Sequence, residues 1–182
     1  INELEYHCNL LDSMELDKTA KVQIHVGGKY GNGYEAMDRF MERYSNLGEN
    51  IKKRLVIEND DHIFTLRDCL HINKHMGIPI IFDTLHHECH NNHEPMRRAM
   101  ESAFKTWKKK DGIPMLDYSS QKKEGRKGSH SQNIKKIHFR RFLEESRGLD
   151  FDIMLEIKDK EKCAIKAKKI IEKDFPRIFK LH

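Results

Sequence analysis

The sequence has no long apolar run, no secretion signal and no cysteine framework. No stretch approaches the roughly 18–20 consecutive apolar residues of a membrane-spanning helix, so we expect no membrane partner. The region from Ile1 to Leu16 carries acidic residues and no small-residue cleavage site, which argues against a signal peptide. The four cysteines form no CxxC pair and no regular spacing. This excludes a disulfide scaffold and predicts a reducing, cytoplasmic location.

The composition is that of a globular protein with a highly charged surface. Of the 182 residues, 37% are hydrophobic and 35% are charged, and the formal net charge is +5. This length is sufficient for one α/β domain with its own core, which we expect to span residues 1–182. The net charge is compatible with binding a polyanion, but lysine-rich helix surfaces produce the same excess, so the charge favours DNA only slightly.

Short apolar runs alternate with segments of helical periodicity along the chain. We predict strands at Lys21–Val26, Leu55–Glu58, Ile78–Leu85, Pro114–Tyr118 and Phe151–Ile157. A helix is predicted before the first strand and after each strand, one of them from a stripe of Ile134, Ile137 and Phe142. The alternation predicts a parallel α/β sheet covered on both faces. Periodicity does not distinguish part of a (β/α)₈ barrel from a doubly wound open sheet.

Each predicted strand carries a His, Glu or Asp near its C-terminal end, where α/β folds bind their ligands. The candidate ligands at the strand ends and in the loops that follow them are His25, Glu58, Asp83, His86, Asp117, His130 and Glu156. Several carboxylates directed at one place repel each other, and a divalent cation removes that repulsion. Mixed His and carboxylate ligands favour Mn²⁺, Fe²⁺ or Zn²⁺, and this set suffices for about two or three ions. Paired ions suit phosphodiester hydrolysis.

Structural interpretations stay open beside this one. Taken alone, His25 is more often a core histidine and His130 a surface histidine, and Glu156 has Lys158 as an alternative partner. Asp60 and Asp61 are expected to cap the loop that follows the second strand.

Several segments, in this order and spacing, resemble the UV-damage endonuclease family from about Glu3 to Ile171. The matching segments are Gln23–Gly28 with Tyr30 and Gly31, Arg54–Asp61, Phe82–His87, Tyr118–Gln121, His130 and Phe151–Lys158. The resemblance implies a partial TIM (β/α) barrel, with about five C-terminal strand–helix units of the usual eight. It also implies that the protein hydrolyses the phosphodiester immediately 5′ to UV photoproducts in damaged double-stranded DNA.

The resemblance further implies a cluster of about three metal ions, usually manganese, at the C-terminal face of the barrel. It implies metal ligands at His25, Glu58, Asp83, His86, Asp117, His130 and Glu156, with Glu58, Asp83, His86 and Glu156 as the catalytic residues. The family places a lysine two residues before the position of Asp117, where this sequence has Met115, a poor ligand for hard ions. Its first three strands fall upstream of Ile1, so we expect the sequence to begin inside a longer protein and to bind metal more weakly than that protein.

A polar, basic loop precedes His130 and interrupts the helical pattern. Its cations Lys122, Lys123, Arg126 and Lys127 are expected to contact DNA phosphates, with Ser119, Ser120 and Gln121 as neutral donors and Tyr30 stacking on a base. Two alternatives are a metal-dependent sugar isomerase or epimerase on a similar barrel, and an inactive DNA-binding fragment. The sequence leaves the oligomeric state open.

Overall fold

The computed structural model describes residues 2–176, and its centre is a five-stranded parallel sheet. The strands are β1 (Val22–His25), β2 (Leu55–Glu58), β3 (Ile80–Asp83), β4 (Met115–Tyr118) and β5 (Asp152–Leu155). Their spatial order is β1-β2-β3-β4-β5, so each strand pairs with its neighbours in sequence. A doubly wound sheet reverses direction at a switch point, whereas a (β/α) barrel always advances the same way. The α/β prediction is confirmed, and the strand order is that of a barrel-like sheet.

Helices precede the first strand and follow every strand, as the periodicity predicts. They are α1 (Asn2–Ser13), α2 (Gly33–Ser45), α3 (Glu49–Arg54), α4 (Leu66–Met76), α5 (Thr84–Cys89), α6 (Met96–Phe104), α7 (Lys136–Glu145) and α8 (Lys160–Asp174), with a short 3₁₀ helix at Lys109–Asp111. The sequence did not predict α3 and α5, because six residues are too few to show a periodic stripe. None of the helices between residues 2 and 176 has the length and apolarity needed to cross a bilayer.

The end of the third strand and the buried face of one helix differ from the predictions. The third strand was predicted to continue to Leu85, but it ends at Asp83 because that carboxylate accepts a hydrogen bond from the backbone N–H of His86 and caps α5. In α7 the predicted stripe is wrong at Ile137, which is 86% exposed. The helix begins only at Lys136, and its buried face consists of Phe139, Phe142 and Leu143. Ile137 lies outside that face.

The core lies on both faces of the inner strands. The main apolar cluster contains the strand residues Ile57, Ile80, Phe82, Leu116 and Tyr118, which pack under the helices. A smaller cluster of Val56, Ile81 and Trp107, with Met115 beside it, lies on the opposite face, because successive side chains of a strand alternate. Two residues further along the same strands are Glu58, Asp83 and Asp117. These carboxylates therefore lie on the face of the smaller cluster, at the C-terminal ends of the strands.

A buried arginine fastens α1 and the following loop to the rest of the molecule. Arg54 is fully buried at the end of α3 and pairs with Asp12 on α1. Its guanidinium also donates to the backbone carbonyls of Leu16, Asp17 and Ala20, at 2.7, 2.6 and 2.8 Å. Three carbonyl groups of the loop before β1 therefore have this one side chain as their hydrogen-bond donor. The position of β1 depends on Arg54 for this reason.

Candidate metal centre

The register of the sheet brings the ends of four strands together. His25 lies directly beside Glu58 across the β1–β2 pair, and Asp83 lies beside Asp117 across the β3–β4 pair. Glu58 is paired with Ile81, two residues before Asp83, so both carboxylates project from the same face. The sequence predicted that these residues lie at strand ends, and the structure brings them to one place.

Two groups of possible ligand atoms lie at this place. His25, Glu58 and His86 form one group, and Glu58, Asp83 and Asp117 form the other, with the ligand atoms of each group within 4.8 Å of one another. Nε2 of His25 is 3.5 Å from Oε2 of Glu58, and Nδ1 of His86 is 2.8 Å from Oε1 of the same carboxylate. Because Glu58 belongs to both groups, the arrangement fits two neighbouring cations that share one carboxylate.

In each of the three buried carboxylates one oxygen accepts a hydrogen bond and the other does not. Oδ1 of Asp83 accepts from the backbone N–H of His86 at 2.6 Å. The side-chain amide of Gln23 donates to Oε2 of Glu58 at 2.6 Å and to Oδ2 of Asp117 at 2.5 Å. The remaining oxygens, Oε1 of Glu58, Oδ2 of Asp83 and Oδ1 of Asp117, are buried and accept no hydrogen bond within the described part of the chain. Of these, only Oε1 of Glu58 faces a cationic partner, Nδ1 of His86. Buried carboxylate oxygens without partners are costly, and a divalent cation provides the missing partner. The residues present therefore fit a metal ion.

Two histidines are oriented as metal-binding histidines usually are. Nδ1 of His86 donates to the carbonyl oxygen of Asn59 at 3.0 Å, and Nδ1 of His130 donates to the carbonyl oxygen of Glu156 at 2.7 Å. A carbonyl oxygen only accepts, so the hydrogen is on Nδ1 and the lone pair of the neutral ring is on Nε2. Such a backbone contact fixes the tautomer and the ring orientation of a metal ligand.

Burial and mutual repulsion change the acidity of the centre. Burial raises the pKa of Asp117 to about 8, and the charges of nearby carboxylates, Glu58 foremost, add to the effect. Burial also raises the pKa of Asp83 to about 7, although His86 opposes it. For His86, burial lowers the pKa, but the carboxylates of Glu58 and Asp83 outweigh it and raise the value to about 9. Protons therefore compete with cations for these groups.

His130 and Glu156 lie at the margin of the centre. Oε2 of Glu156 is 3.5 Å from Nδ1 of His130, and the ring centroids of His130 and His86 are 6.0 Å apart. Glu156 follows the last residue of β5, although the sequence placed it within the strand. Both side chains are partly exposed, so they are available to a ligand that enters from solvent.

The basic loop is an ordered hairpin, which the sequence did not predict. Residues 121–130, named here the basic hairpin, are closed by an antiparallel bridge between Gln121 and His130. The side chain of Gln121 also donates to the carbonyl of Arg126 and accepts from the backbone N–H of Gly128, both at 2.9 Å. The hairpin cations are all exposed; they are Lys122, Lys123, Arg126 and Lys127. The same hairpin therefore presents cations to solvent and holds His130 beside the carboxylates.

The other predicted DNA contacts divide into exposed and buried residues. Tyr30 is 81% exposed and is accessible to a base. Ser119 and Ser120 are 0% and 1% exposed, and the hydroxyl of Ser120 is 3.1 Å from that of Ser131. This burial is at odds with the prediction that these two serines donate to a DNA backbone. They follow β4 directly and turn inward, so we leave them out of the proposed DNA surface.

Two acidic residues after β2 serve the loop, as expected. The carboxylate of Asp60 accepts from the backbone N–H groups of His62, Ile63 and Phe64. Asp61 pairs with the ring of His62 at 2.5 Å. These three polar side chains are close enough to hold an ion, but the oxygens of Asp60 are already used by the backbone. We therefore do not count them in the metal centre.

A parallel β/α sheet of sequential strand order, with histidines and carboxylates converging at its carboxyl edge, defines an α/β protein with a candidate metal centre and is consistent with a TIM-like barrel. The family model described as UV-endonuclease UvdE matches residues 1–178. The chain belongs to this family, and the resemblance seen in the sequence is confirmed.

Relatives and a solved structure agree with this assignment. The chain is 42% identical over 169 residues to the UV DNA damage endonuclease of Clostridium perfringens (strain 13 / Type A), covering 92% of the chain and 41% of that protein. It is 34% identical over 163 residues to the UV DNA damage endonuclease of Bacillus mycoides (strain KBAB4), covering 88% of the chain and 51% of the relative. The structure titled "Crystal Structure of SacUVDE" superposes with a TM-score of 0.88 at 46% identity, covering 94% of this chain and 57% of the other. The chain thus spans about half the length of the curated relatives it matches.

Proposed function

We propose that this chain is part of a DNA-repair endonuclease that hydrolyses the phosphodiester immediately 5′ to UV photoproducts in double-stranded DNA. Its strand–helix units would form about five of the eight units of a TIM barrel, with residues 1–182 as one α/β unit. The observation that carries the proposal is the convergence of three carboxylates, each with one buried oxygen that accepts no hydrogen bond, on two histidines at the carboxyl edge of the sheet. Such an enzyme would meet its substrate in the cytoplasm, the location expected from the sequence.

The centre is proposed to hold two or three divalent ions, with Mn²⁺ favoured by its mixed ligands. Ions bound there would supply the positive charge that activates water and stabilises the leaving oxygen of a phosphodiester. The proposed ligands are His25, Glu58, Asp83, His86, Asp117, His130 and Glu156, and the proposed catalytic residues among them are Glu58, Asp83, His86 and Glu156. Glu58 has the central role, because it belongs to both groups of ligand atoms.

The basic hairpin supports a polyanionic substrate. Three of its cations, Lys122, Lys123 and Lys127, line a groove of about 610 Å³ together with Lys135, and these four lysines outnumber the two glutamates that also line it. Flexible lysines on such a surface suit contacts with the phosphate backbone that do not depend on sequence. A sugar isomerase would need an enclosed polar pocket instead, so the hairpin favours the nuclease. In this proposal the exposed ring of Tyr30 stacks on a base near the lesion.

The test is nicking of supercoiled plasmid, UV-irradiated or unirradiated, in Mn²⁺ or in EDTA. The chain, its Glu58→Gln variant and its Glu42→Gln variant would be compared, since Glu42 is an exposed glutamate on α2. The full-length relative from Clostridium perfringens serves as the reference enzyme. We expect Mn²⁺-dependent nicking of irradiated plasmid that is lost in Glu58→Gln and kept in Glu42→Gln. Salt-dependent DNA binding without nicking would support the inactive-fragment alternative. Absence of both DNA binding and nicking would contradict the nuclease proposal and favour the sugar isomerase or epimerase.

A further inference from the structure

Gln23 is a polar side chain on β1 that the proposed ligand set does not include. It lies two residues before His25 and therefore projects from the same face of the sheet. It is partly buried, and in the register of the sheet it is paired with Val56, a member of the smaller apolar cluster. Its place is thus one layer below the candidate metal centre, at the base of the carboxylates.

The side chain of Gln23 connects strands that are not neighbours. It reaches Glu58 on β2 and Asp117 on β4, although β1 and β4 are three positions apart in the strand order. In a flat sheet three spacings of about 4.8 Å would separate those strands by about 14 Å, well beyond the reach of a glutamine. The contact therefore exists only because the sheet is strongly curved.

One amide nitrogen serves both carboxylates. Nε2 of Gln23 is 2.6 Å from Oε2 of Glu58 and 2.5 Å from Oδ2 of Asp117. Carboxylate oxygens accept hydrogen bonds, so the atom that faces them is the amide nitrogen, which has one hydrogen for each. The two donated bonds place partial positive charge between the two carboxyl groups and lower the repulsion between them when both are ionised.

This pairing decides which oxygens of the carboxylates face the centre. With Oε2 of Glu58 and Oδ2 of Asp117 engaged by Gln23, the opposite oxygens of both groups are buried and accept no hydrogen bond, and the one on Glu58 faces His86. A carboxylate rotates about its last bond unless a neighbour holds it, and Gln23 holds both. We infer that Gln23 is a positioning residue, which orients Glu58 and Asp117 so that one oxygen of each is directed at a divalent cation.

This role rests on the proposed metal centre, and its test measures binding of Mn²⁺ alone. Gln23→Met keeps the length and shape of the side chain but removes both donors. Partners that orient metal ligands commonly contribute about 10–100-fold to metal affinity, and we expect Mn²⁺ to bind more weakly by that factor. The loss of the electron paramagnetic resonance signal of free Mn²⁺ reports binding independently of nicking. Gln132→Met, at an exposed glutamine, is the control and should bind as the unsubstituted chain does.

A second variant guards against a folding defect in the first. Gln23→Asn keeps an amide but is one methylene too short to reach both carboxylates, so it should also bind Mn²⁺ about 10-fold or more weakly. Circular dichroism in EDTA would establish that each variant folds. Unchanged Mn²⁺ affinity in either folded variant would overturn the positioning role. Failure of the unsubstituted chain to bind Mn²⁺ would overturn the metal centre itself, whereas absence of nicking with binding intact would overturn the nuclease proposal alone.

Discussion

Replacing Asp117 by asparagine should make the metal-free protein more stable and its metal binding weaker. Asp117 is fully buried on β4, and its pKa is raised to about 8 by burial and by the neighbouring carboxylates. Asparagine has nearly the same shape, carries no charge at any pH, and its carbonyl oxygen still accepts a hydrogen bond from Gln23. The substitution therefore removes the electrostatic cost of the site without opening a cavity.

The direction of the pH dependence follows from the raised pKa. The folded protein keeps the proton of Asp117 up to pH about 8, whereas the unfolded chain releases it near the ordinary value of 3.8. The unfolded state binds fewer protons in this window, so the free energy of unfolding falls as the pH rises from about 4 to about 8. Asp83 contributes in the same direction up to about pH 7. The stabilising charge of His86 is lost as the pH rises from its ordinary 6.5 through about 9.

The magnitude is a few kcal/mol at neutral pH. Between pH 4 and pH 7 one retained proton corresponds to about 4 kcal/mol, at about 1.4 kcal/mol for each pH unit. We expect asparagine to recover about 1–4 kcal/mol of this, since its amide must still find hydrogen-bond partners in a buried site. At pH 4 the variant and the unsubstituted protein should have nearly equal stability. In excess Mn²⁺ the advantage of the variant should shrink by about 1.4–2.7 kcal/mol, because a 10–100-fold loss of affinity removes that much stabilisation by the ion.

Urea unfolding at pH 4, 5.5 and 7, in EDTA and in excess Mn²⁺, measures the stability of both proteins, its pH dependence and the stabilisation by Mn²⁺. Asp38→Asn, at an exposed aspartate on α2, is the matched control and should change neither the pH dependence nor the effect of Mn²⁺. The reasoning would be refuted if Asp117→Asn destabilised the protein in EDTA at pH 7, or if it left the fall in stability between pH 4 and pH 7 unchanged.

Three further predictions test the surroundings of the centre. Changing the four hairpin cations to glutamine should weaken DNA binding and reduce the slope of log K against log salt by up to about 3–4, while Mn²⁺ affinity stays the same. A salt titration in which the variant and the unsubstituted chain have the same slope would contradict this. Arg54→Ala should lower the free energy of unfolding by about 3–5 kcal/mol and expose the amides of α1 to hydrogen exchange, because it leaves three backbone carbonyls without their donor. A loss below about 1 kcal/mol would count against this role of Arg54. Gly128→Ala should loosen the basic hairpin and weaken Mn²⁺ binding several-fold, since Gly128 has a φ of +82° and a Cβ there would overlap the carboxylate of Asp61. Gly48→Ala, where a Cβ meets nothing within 4 Å, is its control, and equal Mn²⁺ titrations of the two variants would refute the effect.

Much of the fold followed from the sequence, because strand and helix periodicities are local properties. The alternation of apolar runs and helical stripes predicted the parallel α/β class, and five strands were found close to their predicted positions. The sequence also predicted that His25, Glu58, Asp83 and Asp117 lie near strand ends. Since the carboxyl ends of parallel strands meet at one edge, their convergence was expected. The family assignment rested on ordered motifs, which are a property of the sequence itself.

Other features depended on contacts between residues that are distant in sequence. Strand order separates a barrel-like sheet from a doubly wound one, and it is set by how the strands pack rather than by any local pattern. The contact from Gln23 to Asp117 spans 94 positions and needs a curved sheet. Ser119 and Ser120 look like surface donors in the sequence, yet the packing of the segment after β4 buries both. Residue type and spacing thus determined which chemistry the chain carries, whereas sheet curvature decided which of those groups meet, because only the folded backbone sets distances across the strands.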